Sequence, residues 1–100
     1  MAWKKVQVRT IPNANTPFET MSDEVINYIK TNYDDTGKRT SFSVSSSANG
    51  LVLTYTSVYS SEATKNEFAN DSTISTEAAR RNKINEDRGI TREMTVDEEV

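Results

Sequence analysis

The hydrophobic pattern of the chain switches between a period of two and a period of three to four. The order of the switches predicts strand, helix, strand–turn–strand, helix, strand. Residues 2–11 alternate, with Val6 and Val8 on one face and Trp3, Lys5, Gln7 and Arg9 on the other. Pro12, Asn13 and Asn15 interrupt the alternation. Thr16-Pro17-Phe18-Glu19 then has the form of a helix start, with Thr16 as N-cap, Pro17 in the first turn and Glu19 placed to close a capping box. Phe18, Met21, Val25, Tyr28 and Ile29 make one apolar stripe, which Ile26 and Tyr33 widen. Gly37 follows Asp34-Asp35 as a stop signal, so a helix over 17–34 is expected.

Asn49-Gly50 lies between two β-rich runs and predicts a hairpin with a two-residue type I′ turn. That register pairs Ala48 with Leu51, Ser46 with Leu53, Val44 with Tyr55 and Phe42 with Ser57. It gathers Phe42, Val44, Leu53 and Tyr55 on the helix-covered face, and Ser43, Ser45, Ser47, Thr54, Thr56, Val52 and Val58 on the other. A second helical region begins at Ser61-Glu62, breaks at Asn70-Asp71-Ser72, restarts with Ser75 as cap and ends at Gly89. Its apolar residues do not form a single stripe, so either a kink resets the phase or part of the segment packs on another chain. The last strand covers residues 90–96, with Ile90, Met94 and Val96 inward and Thr91, Glu93 and Thr95 outward.

The predicted class is therefore α+β: one domain over residues 1–100, a four-stranded antiparallel sheet in the order 4-1-3-2, and two helices on one face. Its other face collects Trp3, Lys5, Gln7, Arg9, Ser43, Ser45, Val52, Thr54, Thr56, Val58, Thr91, Glu93 and Thr95, with Arg9 and Glu93 able to pair across neighbouring strands. Small hydroxyls and β-branched residues suit close approach of a second sheet, which predicts a homodimer; a solvated or ligand-facing surface is the alternative.

Composition narrows the chemistry. Apolar residues are 34% of the chain, few for a domain of 100 residues. A domain of this size buries only roughly 60–65% of its unfolded surface, so extra burial by self-association is reasonable. The absence of Cys removes disulfides and thiolate sites, and the absence of His removes imidazole ligands and every His-dependent triad. A net charge of −3 gives no basic footprint for nucleic acid. Arg80, Arg81, Lys83 and Arg88 alternate with Glu77, Glu86 and Asp87, which reads as a solvated ion-pair surface. Asp34-Asp35 and Asp97-Glu98-Glu99 lack the spacing of a calcium loop, so neither metal nor cofactor is expected. Without an apolar leader or a span of 18 apolar residues, a soluble cytoplasmic protein is expected, with no membrane and no nucleic acid among its partners.

The capped first helix, the Asn49-Gly50 hairpin, the helix broken between Phe68 and Ile74, and the Gly89-Ile90 start of the last strand resemble the ferredoxin-like fold. More narrowly, they resemble the dimeric α+β barrel superfamily. The resemblance covers nearly the whole chain as a pattern of elements and matches no signature motif. It implies a choice among cofactor-free monooxygenases, His-dependent haem or isomerase branches, which the lack of His disfavours, and small proteins without assigned activity. The RNA-recognition motif shares the order but needs stacking aromatics on its third strand, where this register turns Tyr55 towards the helices. The leading expectation is a non-enzymatic oligomerising or binding module whose small-molecule ligand is unknown. The alternatives are a cofactor-free monooxygenase-like enzyme with a cleft at Tyr28 and Tyr55, and, from composition alone, a small structural protein of a bacterial virus. A cavity lined by Tyr28, Tyr55 or Trp3 with a buried arginine favours the enzyme; no cavity, with an apolar-centred self-interface, favours the module.

Overall fold

The computed structural model describes residues 1–100. Its elements are β1 (Trp3–Thr10), α1 (Asp23–Ile29) running into a π-helical turn (Lys30–Asp34), β2 (Arg39–Ser46), β3 (Val52–Tyr59), α2 (Glu62–Asn70), α3 (Ser72–Asp87) and β4 (Thr91–Glu99). The fold is α+β, with a four-stranded antiparallel sheet ordered β2-β3-β1-β4 and three helices. This is the order expected from the sequence, read from the opposite edge.

The hairpin has the predicted register: Phe42 faces Ser57, Val44 faces Tyr55 and Ser46 faces Leu53. Its turn differs. No residue other than glycine has a positive φ, so Asn49 does not adopt the type I′ conformation. Instead the Gly50 amide donates to the Ser47 carbonyl, and Asn49 Oδ1 accepts from Ser47 Oγ and the Leu51 amide. The side chain of Asn49 thus satisfies the loop while Gly50 alone takes the left-handed conformation, at φ 74°. The strands stop at Ser46 and Val52, so the expected Ala48–Leu51 pair is not made.

The first helix starts later than the capping-box pattern predicted. Ser22, not Thr16, is the N-cap, its side chain accepting from the Val25 amide. Residues 17–22 form a loop instead, because α3 supplies partners for their backbone. Asn85, 1% exposed, accepts from the Glu19 amide and donates to the Glu19 carbonyl. Glu77 accepts from the Ser22 amide, and Arg88 donates to the Pro17 carbonyl. Tertiary hydrogen bonds outweigh a local capping signal of about 1 kcal/mol.

The break between α2 and α3 falls where expected, but its cap is Asp71, not Ser75. Asp71 Oδ1 accepts from the Thr73 and Ile74 amides. Its other oxygen accepts the hydroxyls of Tyr28 (2.8 Å) and Tyr33 (2.7 Å), which joins the first helical segment to the junction of the other two. Around this point lies the core: Ile29, Tyr33 and Ile74 are buried, with Met21, Val25, Tyr28 and Phe68 packed against them. Phe68 meets Tyr33 and Tyr59 edge-on at 5.0 and 5.3 Å between ring centres, which anchors the helices to one end of the sheet. At the other end Ile11 and Ile90 are buried beside Asn85, whose carbonyl accepts the Ile90 amide.

Two strands face differently from the sequence expectation. In β1, Gln7 is opposite Tyr55 and Lys5 is opposite Ser57, so Trp3, Lys5, Gln7 and Arg9 lie on the face carrying Tyr55. Val6 and Val8 lie on the opposite face, across from Thr56 and Thr54. Alternation reports which residues share a face and not which face is inside, and a slip of one residue exchanges them all. In β4 an irregularity sets Met94 opposite Gln7 but Val96 opposite Val6, with Thr95 as the inserted residue. Val96 is therefore on the outer face, contrary to expectation, whereas Thr91 and Glu93 are outward as expected. Arg9 and Glu93 occupy opposite faces and do not pair; the cross-strand neighbour of Arg9 is Arg92.

Candidate functional site: a cleft floored by the sheet

Only nine residues of 100 are buried, and the reason is an open space between the Tyr55 face of the sheet and the helices. This cleft has a volume of about 910 Å³. Its floor is Lys5, Gln7 and Arg9 of β1, Tyr55 and Ser57 of β3, Phe42 and Val44 of β2, and Arg92 of β4. Its roof includes Ile26, Ile29, Phe68, Ile74, Ala78, Ala79, Arg81 and Asn82. The roof explains the space. Along α3 the residues at helical spacing towards the sheet are Ile74, Ala78, Arg81 and Asn85, so alanine stands where a larger apolar side chain would close the gap.

The cleft carries charged groups at both ends, paired at the β2 side and largely unpaired around Arg9. Arg9, 2% exposed, donates through Nη2 to Asn82 Oδ1 at 3.0 Å, and its guanidinium lies 5.8 Å from the Tyr55 ring centre and 5.9 Å from that of Phe18. Burial, with Arg81 repelling it, pushes the Arg9 guanidinium down to about 10. Burial also lowers Arg81. Lys5 is lowered by burial, opposed in part by Asp97. At the β2 side, Arg39 is neutralised: it binds both oxygens of Asp34, at 2.6 and 2.9 Å, and stacks 4.3 Å from the Phe42 ring centre.

The sequence-derived candidates separate into three groups. Lys5, Gln7, Arg9 and Tyr55 converge on the cleft. Trp3 is on the same sheet face but at its end, with Nε1 donating to Asp97 at 2.6 Å and Lys65 4.7 Å from the ring centre. Tyr28 does not line the cleft; its hydroxyl is taken by Asp71. Val52, Thr54, Thr56, Val58, Ser43, Ser45, Thr91 and Glu93 are on the opposite face. Arg81, Asn82 and Arg92 were not foreseen. The basic group on α3 is not one surface: Arg80 pairs with Glu77 and Glu19, Lys83 with Asp87, while Arg81 turns into the cleft. Its position seven residues after Ile74, on the inward stripe, was the available signal.

No group of Asp and Glu side chains is arranged to hold a metal ion. No helix is long and apolar enough to cross a membrane. Comparison with protein-family models, with curated proteins and with solved structures finds no match to this chain.

Proposed function

We propose that this is a small-molecule-binding domain with a ferredoxin-like arrangement, whose ligand enters between the sheet and the helices. The observation that supports this reading is the cleft itself. A volume of about 910 Å³ falls within the roughly 300–1,000 Å³ usual for ligand sites. Apolar walls and a few convergent polar groups complete the usual description of such a site. Neutral Nile red should bind saturably, one per chain, with enhanced fluorescence. Ala78→Trp, which fills the roof, should abolish the enhancement while leaving the far-ultraviolet circular dichroism unchanged. Absence of binding, or binding indifferent to Ala78→Trp, removes the cleft as the site.

A cofactor-free monooxygenase-like enzyme is the second reading, favoured by the cleft being lined by Tyr55 and by the buried Arg9, the combination expected of an enzyme site. Dioxygen uptake in the presence of a bound ligand separates it from simple binding.

The opposite face of the sheet supports a homodimer; it keeps the β2 and β3 residues the sequence indicated, with Thr91 and Glu93 of β4, but presents Val6, Val8 and Val96 in place of Trp3, Lys5, Gln7 and Arg9. Val6, Val8, Val52, Val58 and Val96 share this face with Thr54 and Thr56, by register. β-Branched residues of this kind fit a second pleated layer. Light scattering at micromolar concentration should give twice the chain mass, and Val58→Arg should return it to the mass of one chain. A single-chain mass for the native protein rules the dimer out.

A further inference from the structure

We propose that the ligand of this cleft carries an anionic head, a carboxylate or phosphate, held by Arg9, Arg81 and Arg92, and an apolar body lying towards Val44 and Phe42. The inference rests on the cleft being a ligand site and specifies what enters it.

The argument starts from unmet hydrogen-bonding capacity. A guanidinium carries five N–H donors. Arg9, almost wholly buried, uses Nη2 on Asn82 and leaves Nε buried with no partner. The Nε of Arg81 is likewise buried and unpartnered. Buried donors in folded proteins are nearly always satisfied, so these two cleft-lining arginines are short of acceptors; with both Nε atoms sealed from solvent, an incoming anion would be taken by their remaining guanidinium N–H groups.

Charge points the same way. Arg92 lies directly across from Arg9 on the neighbouring strand, an arrangement of like charges that is unfavourable without something between them. The acidic side chains nearby do not serve. Glu86 reaches Arg92 only at 3.8 Å and is largely exposed, and Glu77 is occupied by Arg80 and the Ser22 amide. The contrast within the cleft is informative, because Arg39 on the β2 side is held by Asp34 at 2.6 Å, whereas at the Arg9 end the carboxylate of Glu86 reaches only Arg92, at 3.8 Å. Burial and repulsion by Arg81 lower Arg9, and an anion between the guanidiniums would offset the repulsion and favour the charged form. The planar fork of arginine matches carboxylate and phosphate oxygens. From that end the floor continues over Tyr55 to Val44 and Phe42, both about half exposed, which suits an apolar tail leaving by the mouth.

The test is calorimetric titration of the native protein with decanoate, decyl phosphate, decanol and decyltrimethylammonium, each below its aggregation threshold. At least one anion should bind tenfold or more tightly than decanol, and the ammonium should not bind. The stronger of the two anions identifies the head. Arg81→Met should weaken the anion at least tenfold, change decanol less than twofold, and leave the melting temperature of the ligand-free protein equal or higher, because a repelling charge is gone. Equal affinity for decanol and both anions overturns the anionic head but leaves the cleft as a site. No binding of any probe overturns the cleft reading itself. A lower melting temperature with equal loss of all probes makes Arg81 structural and ends the proposal. Should Arg81→Met not fold, the native series alone decides.

Discussion

Asp71→Ala should destabilise the protein by about 3 kcal/mol, as much as truncating a buried core side chain. One carboxylate ends α2, caps α3 and accepts two tyrosine hydroxyls. The lost cap accounts for about 1 kcal/mol. The remainder comes from Tyr33, whose buried hydroxyl loses its short bond to a charged acceptor, and to a lesser extent from Tyr28, which is nearer the surface. For a domain of this size that corresponds to a drop of roughly 10–20 °C in melting temperature. The urea midpoint at unchanged m-value measures it. Asp71→Asn, which can still cap but no longer offers the tyrosines a charged acceptor, should lose about 2 kcal/mol. Equal damage from the two variants would mean that the cap contributes nothing. Burial alone would raise the Asp71 carboxyl; the hydroxyls of Tyr33 and Tyr28 and two helix amides more than offset this and hold it below its ordinary value. The tyrosines respond in the opposite sense: burial and Asp71 together raise Tyr33, and Asp71 raises Tyr28.

The second large effect is acid sensitivity through Glu77. Two bonds from Arg80, at 2.6 and 2.8 Å, and the Ser22 amide hold this carboxyl down to about 2 from an ordinary 4.5. A carboxyl lowered on folding stabilises the native state above its unfolded value, and the contribution is lost as pH falls through the folded value. Stability should therefore be level above about pH 5 and decline between about 4.5 and 2. Glu77→Gln should lower stability at neutral pH by about 2 kcal/mol, since the amide keeps one acceptor but loses the charge-assisted pair. It should also flatten the decline below pH 5, with Asp71 supplying what slope remains. Urea midpoints between pH 2 and 7 for both proteins check this, and parallel curves below pH 5 would remove Glu77 as the titrating group.

The fold was legible in the sequence wherever a signal was local. Asn49-Gly50 gave the hairpin and its register, Asn70-Asp71-Ser72 gave the helix break, and Gly37 and Gly89 gave the stops. What could not be read was long-range. Thr16 and Glu19 form a good capping box on paper, yet Asn85, 66 residues beyond Glu19, takes the backbone of the supposed first turn. The side assigned to β1 failed for a related reason. Valines were placed inside because apolar residues usually belong there, whereas the inner floor of β1 is Lys5, Gln7 and Arg9, beneath a roof of small side chains. Of the two tyrosines expected in a cleft, Tyr55 lines it and Tyr28 does not, its hydroxyl being held by Asp71. Arg9 was noted but assigned to the wrong side, and Arg81 was read as one of several solvated charges.

Both outermost strands depart from regular pairing, β4 at Thr95 and β2 between Arg39 and Ser41. The last residues of β4 add Asp97, Glu98 and Glu99 to that margin. A kinked border with clustered negative charge is a poor template for another chain to extend. The β4 edge is thus guarded against addition of another strand, which favours stacking of sheets over pairing at that margin.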